Sequence, residues 1–77
     1  MARVILIEDD GLVRTMLMRN MLASGFTVTA MRDGRELDRV MNDAHADLLV
    51  IDLGLPYMDG FALVESLRAK GYTTPVL

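Results

Sequence analysis

Apolar residues fall into two rhythms along this chain, and the rhythms alternate. Val4-Ile5-Leu6-Ile7 is a brief continuous run closed by Glu8-Asp9-Asp10. A run that short and that β-branched predicts a strand buried on both faces of a parallel sheet. Beyond Gly11, the residues Val13, Met16, Leu17, Asn20 and Met21 recur at steps of three and four. That spacing predicts one helix face, stopped by Gly25 in a left-handed cap. Phe26, Val28 and Ala30 then alternate with Thr27 and Thr29, which reads as a second strand suited to a sheet edge.

The alternation continues. Asp33-Gly34 turns the chain into a second helix with Leu37, Val40 and Met41 on one face, ended by Asn42-Asp43. Leu48-Leu49-Val50-Ile51 is a third strand, again closed by an acid, Asp52. Residues 53–60 form a loop punctuated by Gly54, Pro56 and Gly60, before a third helix marked by Leu63, Val64 and Leu67 with Gly71 as its stop. A fourth apolar run begins at Thr73-Thr74-Pro75 and the chain ends within it. Strand and helix alternating three times with short connections predict an α/β fold built on an open parallel sheet.

Composition sharpens this picture in three places. The 77 residues allow one domain at most, and 52% of them are hydrophobic, an excess that suits strands buried on both faces. The net charge of −3, with Lys and Arg scattered, argues against a nucleic-acid grip. Cysteine is absent, which excludes disulfides and thiol nucleophiles and fits a reducing cytoplasm. No apolar run approaches the roughly 20 residues of a membrane span, and the N-terminus lacks the form of a signal peptide.

Candidate chemistry sits where strands end. In an open parallel sheet the carboxyl ends of the strands line the crevice that binds ligands. If the first and third strands are neighbours, Glu8, Asp9 and Asp52 converge there. Carboxylates that close repel one another unless protons or a cation neutralise them, and a hard oxygen cluster with open positions suits Mg²⁺. For one acid alone, a solvated turn is the default reading. Acids closing two buried strands, one of them followed by Gly54 and Pro56, favour a site.

The two segments 4–10 and 47–60 together resemble the receiver domain of bacterial two-component response regulators. Those domains carry an acidic pair after the first strand and an Asp ending the third, followed by a Pro four residues on and a Met-Asp-Gly turn, here Met58-Asp59-Gly60. The resemblance implies a flavodoxin-like strand order 2-1-3-4. It makes Asp52 the phosphoacceptor, with Asp9 binding Mg²⁺ directly, Glu8 acting mainly through metal-bound water and the Gly54 carbonyl as a further ligand. The implied phosphodonor is a histidine kinase or a phosphotransfer protein, and the implied role is a cytoplasmic signalling phosphoacceptor rather than an enzyme. Asp10 is read as a helix-start residue. Departures from the commonest pattern are Glu8 for Asp, Leu55 for Met and Tyr57 for Gly, the last expected beside the site.

A receiver domain has five strands and five helices. Residues 1–77 are therefore expected to be a partial domain ending in the fourth strand, without the fifth strand, the last two helices, the Lys and hydroxyl residues of the switch, or any output domain. This leaves an alternative in which the chain is a truncated or engineered half-domain that self-associates, most simply as a dimer, through its apolar fourth strand or the third helix beside it. A further rival is the haloacid-dehalogenase type, whose Asp-x-Asp-Gly signature Glu8-Asp9-Asp10-Gly11 resembles. Its nucleophile must be Asp, and here that position is Glu8. A dinucleotide fold lacks its Gly-rich turn. His45, the single histidine, reads as a solvent-facing loop residue, Arg14 and Arg19 as solvated, and the seven methionines as core filler.

Overall fold

The computed structural model describes residues 2–35, 37–51 and 60–77, apart from the side chains of residues 38, 43 and 44. Its centre is β1 (Arg3–Ile7), flanked by β2 (Thr27–Met31) and β3 (Leu48–Ile51) in the order β2-β1-β3. Both pairings are parallel. Ile5 lies level with Thr29 on one side and Leu49 on the other, and Ile7 with Met31 and Ile51. With neighbours on both edges and helices on both faces, residues 4–7 are almost completely buried.

Side-chain alternation assigns these residues to two faces. Ile5 and Ile7 join Leu49 and Ile51 in a cluster with Leu37 and Met41 of α2 (Leu37–Ala44) and Leu63 and Leu67 of α3 (Gly60–Ala69). Val4 and Leu6 point the other way, toward the side where α1 (Gly11–Ala23) lies against β1 and β2. Among the described residues, one face thus has two helices and the other has one. A helix is about 10 Å wide and strands are about 4.8 Å apart, so a single helix leaves part of a three-stranded sheet uncovered. This accounts for a difference from expectation: no residue of α1 is fully buried, and Val13 and Met16 of its expected apolar face are exposed. Met16 is therefore not core filler, whereas Met41 is buried and Met31 packs against the core.

Helix ends follow the sequence signals. Asp10 caps α1, its carboxylate accepting from the amides of Leu12 and Val13 at 2.9 and 3.1 Å. At the other end Gly25, at φ 93°, closes a Schellman turn in which Phe26 N–H donates to the Met21 carbonyl and Gly25 N–H to that of Leu22. Gly71, at φ 92°, ends α3 in the same way, with Tyr72 donating to Leu67 and Gly71 to Arg68. The second helix runs to Ala44 rather than stopping at Asn42-Asp43, and the exposed His45 takes the left-handed position at φ 49°. Gly60, expected in the loop, is the buried first residue of α3.

The fourth apolar run pairs where expected. Val76 bridges in parallel to Leu49, the Leu49 amide donates to the Pro75 carbonyl at 2.9 Å, and the Leu77 amide donates to the Leu49 carbonyl at 2.8 Å. This single bridge sets the segment outside β3, where the expected order 2-1-3-4 puts the fourth strand. Among the described residues, no helix is long and apolar enough to cross a membrane.

Candidate functional site

The chain leaves β1 at Ile7, and Glu8 and Asp9 follow at the carboxyl end of the central strand. Glu8 is half-buried and Asp9 exposed. Two contacts hold Glu8 through its backbone: its amide donates to the Met31 carbonyl at 3.0 Å, and its own carbonyl accepts from Nη1 of Arg14 at 2.9 Å. Asp10 is occupied as the α1 cap, as its position at a helix start implied, and so stands outside the acidic pair.

Ile7 is in register with Ile51, so β1 and β3 end at the same level. Asp52 follows Ile51 in sequence. Asp52 and Gly54 lie outside the described residues, as do Tyr57 and the rest of 53–59, and among the described residues no group of three metal-ligating side chains forms. The pair that is described has the chemistry Mg²⁺ prefers, carboxylate oxygens at an open strand end. One of those oxygens, Oε2 of Glu8, is buried and accepts no hydrogen bond from the described residues, while the Glu8 backbone is anchored by Met31 and Arg14. A buried oxygen in that condition is suited to a cation or an ordered water.

The neighbouring strand end is basic. Arg14, Arg32 and Arg35 line an open cleft of about 750 Å³ at the end of β2, with Asp33 among them. Asp33 is buried, and hydrogen bonds from the Arg35 side chain and then its amide hold its carboxyl below the usual range. The role of Arg14 is a correction to the sequence reading, which took it as solvated. A side chain in the first turn of a helix points back toward the N-terminus, and an arginine there is long enough to reach the strand end. That reach makes the contact possible, but nothing in the sequence selects the Glu8 carbonyl as its partner. Arg19 is exposed, as expected.

A family model described as the response regulator receiver domain matches residues 4–77. This chain belongs to the receiver domain family. It is 39% identical over 77 residues to the virulence transcriptional regulatory protein PhoP of Salmonella typhimurium, covering all of this chain and 34% of that one. Among solved structures, the receiver domain of Francisella response regulator 1452 superposes with a TM-score of 0.91 at 30% identity, covering 99% of this chain and 63% of the other. The BeF3-activated N-terminal receiver domain of Klebsiella pneumoniae RstA gives 0.88 at 26% identity, over 96% and 62%. The chain thus spans about a third of the length of PhoP and under two thirds of these receiver structures. The observed order β2-β1-β3, with Val76 bridged outside β3, agrees with the flavodoxin-like order expected of a receiver domain.

Proposed function

We propose that this receiver domain is a phosphoacceptor of two-component signalling, taking a phosphoryl group onto Asp52 beside a Mg²⁺ held by Glu8, Asp9, Asp52 and the Gly54 carbonyl. The observation that carries the reading is the acidic pair Glu8-Asp9 at the carboxyl end of the central strand, level with the end of β3. The family match across residues 4–77 supports it. So does the RstA receiver, which is described as activated by BeF3.

In this reading a carboxylate oxygen of Asp52 forms a bond to phosphorus as the bond to the donor's leaving group breaks, giving an acyl phosphate. Bound Mg²⁺ would supply neutralisation of the charge between an anionic nucleophile and an anionic phosphoryl group. Asp9 would bind the ion directly and Glu8 mainly through its water. The donor would be a histidine kinase or a phosphotransfer protein, in the cytoplasm. The domain would serve as a signalling module without nucleic-acid contacts of its own. Incubation with acetyl phosphate and Mg²⁺ tests this: one phosphoryl group is expected, at Asp52, and none in Asp52→Asn. Undiminished labelling of that variant would overturn the assignment.

A second reading, compatible with the first, is self-association. An apolar cleft of about 480 Å³ lies between α3 and the outer strand, lined by Ile51, Gly60, Phe61, Val64, Val76 and Leu77 with Glu65 at its side. Phe61 and Leu77 are 64% and 79% exposed. Apolar surface at such a cleft favours association with a second copy, most simply as a twofold dimer.

A further inference from the structure

Arg14 is an unexpected neighbour for a cation site. A guanidinium beside Glu8 and Asp9 repels any cation they attract, and that repulsion falls only slowly with distance. Its compensating contribution is geometric. Nη1 of Arg14 donates to the Glu8 carbonyl at 2.9 Å, which fixes the peptide joining Glu8 to Asp9 from its oxygen side. The Glu8 amide is fixed by the Met31 carbonyl at 3.0 Å, and Asp10 is fixed by capping α1. Asp9 therefore lies between two anchored residues, and Arg14 supplies the anchor that spans from helix to strand.

We propose that Arg14 is a positioning residue for the Glu8-Asp9 pair, latching the β1–α1 turn so that both carboxylates are presented to a divalent cation. The inference rests on the cation role given to that pair above. It makes a prediction of sign that electrostatics alone reverses. Removing a positive charge next to a cation site tightens cation binding, whereas releasing the latch weakens it. Outer partners of metal ligands typically contribute about tenfold or more in affinity.

Arg14 is half-buried at the surface, and its side chain takes no part in the α1 cap or its Schellman turn, while its amide bond to the Asp10 carbonyl survives substitution, so its variants should fold. The experiment measures Mg²⁺ affinity by calorimetric titration and backbone order of Asp9 and Asp10 by NMR relaxation in EDTA, alongside the metal-free melting temperature. Arg14→Met should lower Mg²⁺ affinity by about tenfold and reduce the order of both amides, with little change in melting. Arg14→Gln should move in the same direction, and Arg14→Lys, which keeps a donor on a long arm, should restore part of both losses. Tighter Mg²⁺ binding by the neutral variants would overturn the latch and leave charge as the role of Arg14. If the wild-type chain binds no Mg²⁺, the cation reading of the acidic pair is what fails. The metal-free amide order then decides the latch by itself, a drop in Arg14→Met supporting it and unchanged order refuting it.

Discussion

Arg35 grips the carboxylate of Asp33 with three hydrogen bonds: its Nε and Nη2 donate to Oδ2 at 3.1 and 3.0 Å, and its own amide donates to Oδ1 at 3.0 Å. Two residues apart, the pair closes the turn between β2 and α2. Arg32 adds a longer contact, 3.9 Å from Nε to Oδ2. Because these bonds favour the ionised form, the folded protein holds the Asp33 carboxyl below its ordinary value of 3.8.

The sign of the consequence follows from linkage. A carboxyl depressed on folding contributes stability that is fully present above its unfolded value and is lost as pH falls through the folded one. Urea midpoints measured from pH 7 downward should therefore hold their Asp33 contribution to about pH 4 and lose it below 3.8. In Asp33→Asn that part of the acid slope should be missing. An identical slope in the two proteins would mean the grip is not formed in solution.

Binding of Mg²⁺ to the acidic pair should stabilise the fold by mass action. At ten times the dissociation constant the gain is about 1.4 kcal/mol, or a rise of roughly 6–10 °C in Tm for a domain of this size. Asp9→Asn should remove the rise without destabilising the metal-free chain, since Asp9 is exposed. A Tm that ignores Mg²⁺ in the wild-type protein counts against the site.

Gly34 marks a close approach between the β2–α2 turn and α3. A Cβ built there would lie 3.0 Å from Cδ2 of Leu63. Leu63 is itself in the core cluster and 4% exposed, so it has little room to withdraw. Gly34→Ala should cost about 1–2 kcal/mol, as overpacking does. Leu63→Val in the same chain should recover part of it, and a double-mutant cycle with additive effects would place the strain elsewhere.

What the sequence disclosed and what it hid divide along physical lines. Continuous apolar runs located β1 and β3 and alternation located β2, because burial on two faces or on one leaves those patterns, and Gly25 and Gly71 located helix ends because a left-handed position excludes most residues. The acidic pair drew attention because acids close two of the apolar strands, where an acid after one strand alone reads as a solvated turn. The contacts of Arg14 with Glu8 and of Arg35 with Asp33 were not legible, since a long flexible side chain has many possible partners and its spacing alone selects none. The open flank of α1 was hidden for another reason: periodicity reports an apolar face, not whether anything covers it. Asp52 and Gly54 lie outside the described residues, and their roles stand on the resemblance and on the labelling experiment.

The outer edge of the sheet gives the last prediction. Val76 is paired with Leu49 on one side and half-buried, and next to it the cleft walled by Phe61 and Val64 opens on apolar surface. A second copy docking there would remove that surface from water, each 100 Å² of it contributing about 2.5 kcal/mol before the entropic cost of association. Sedimentation at increasing protein concentration should show a monomer–dimer equilibrium. Val64→Lys, which places a charge in the cleft wall, should shift it toward monomer by tenfold or more, because an unpaired ammonium would be buried in the dimer. Val64 is partly buried, so a melting curve must accompany the measurement, and Phe61→Lys on the exposed rim should give the same shift at lower risk to the fold. A compact monomer at high micromolar concentration, unchanged by either substitution, would show that the cleft is left to water.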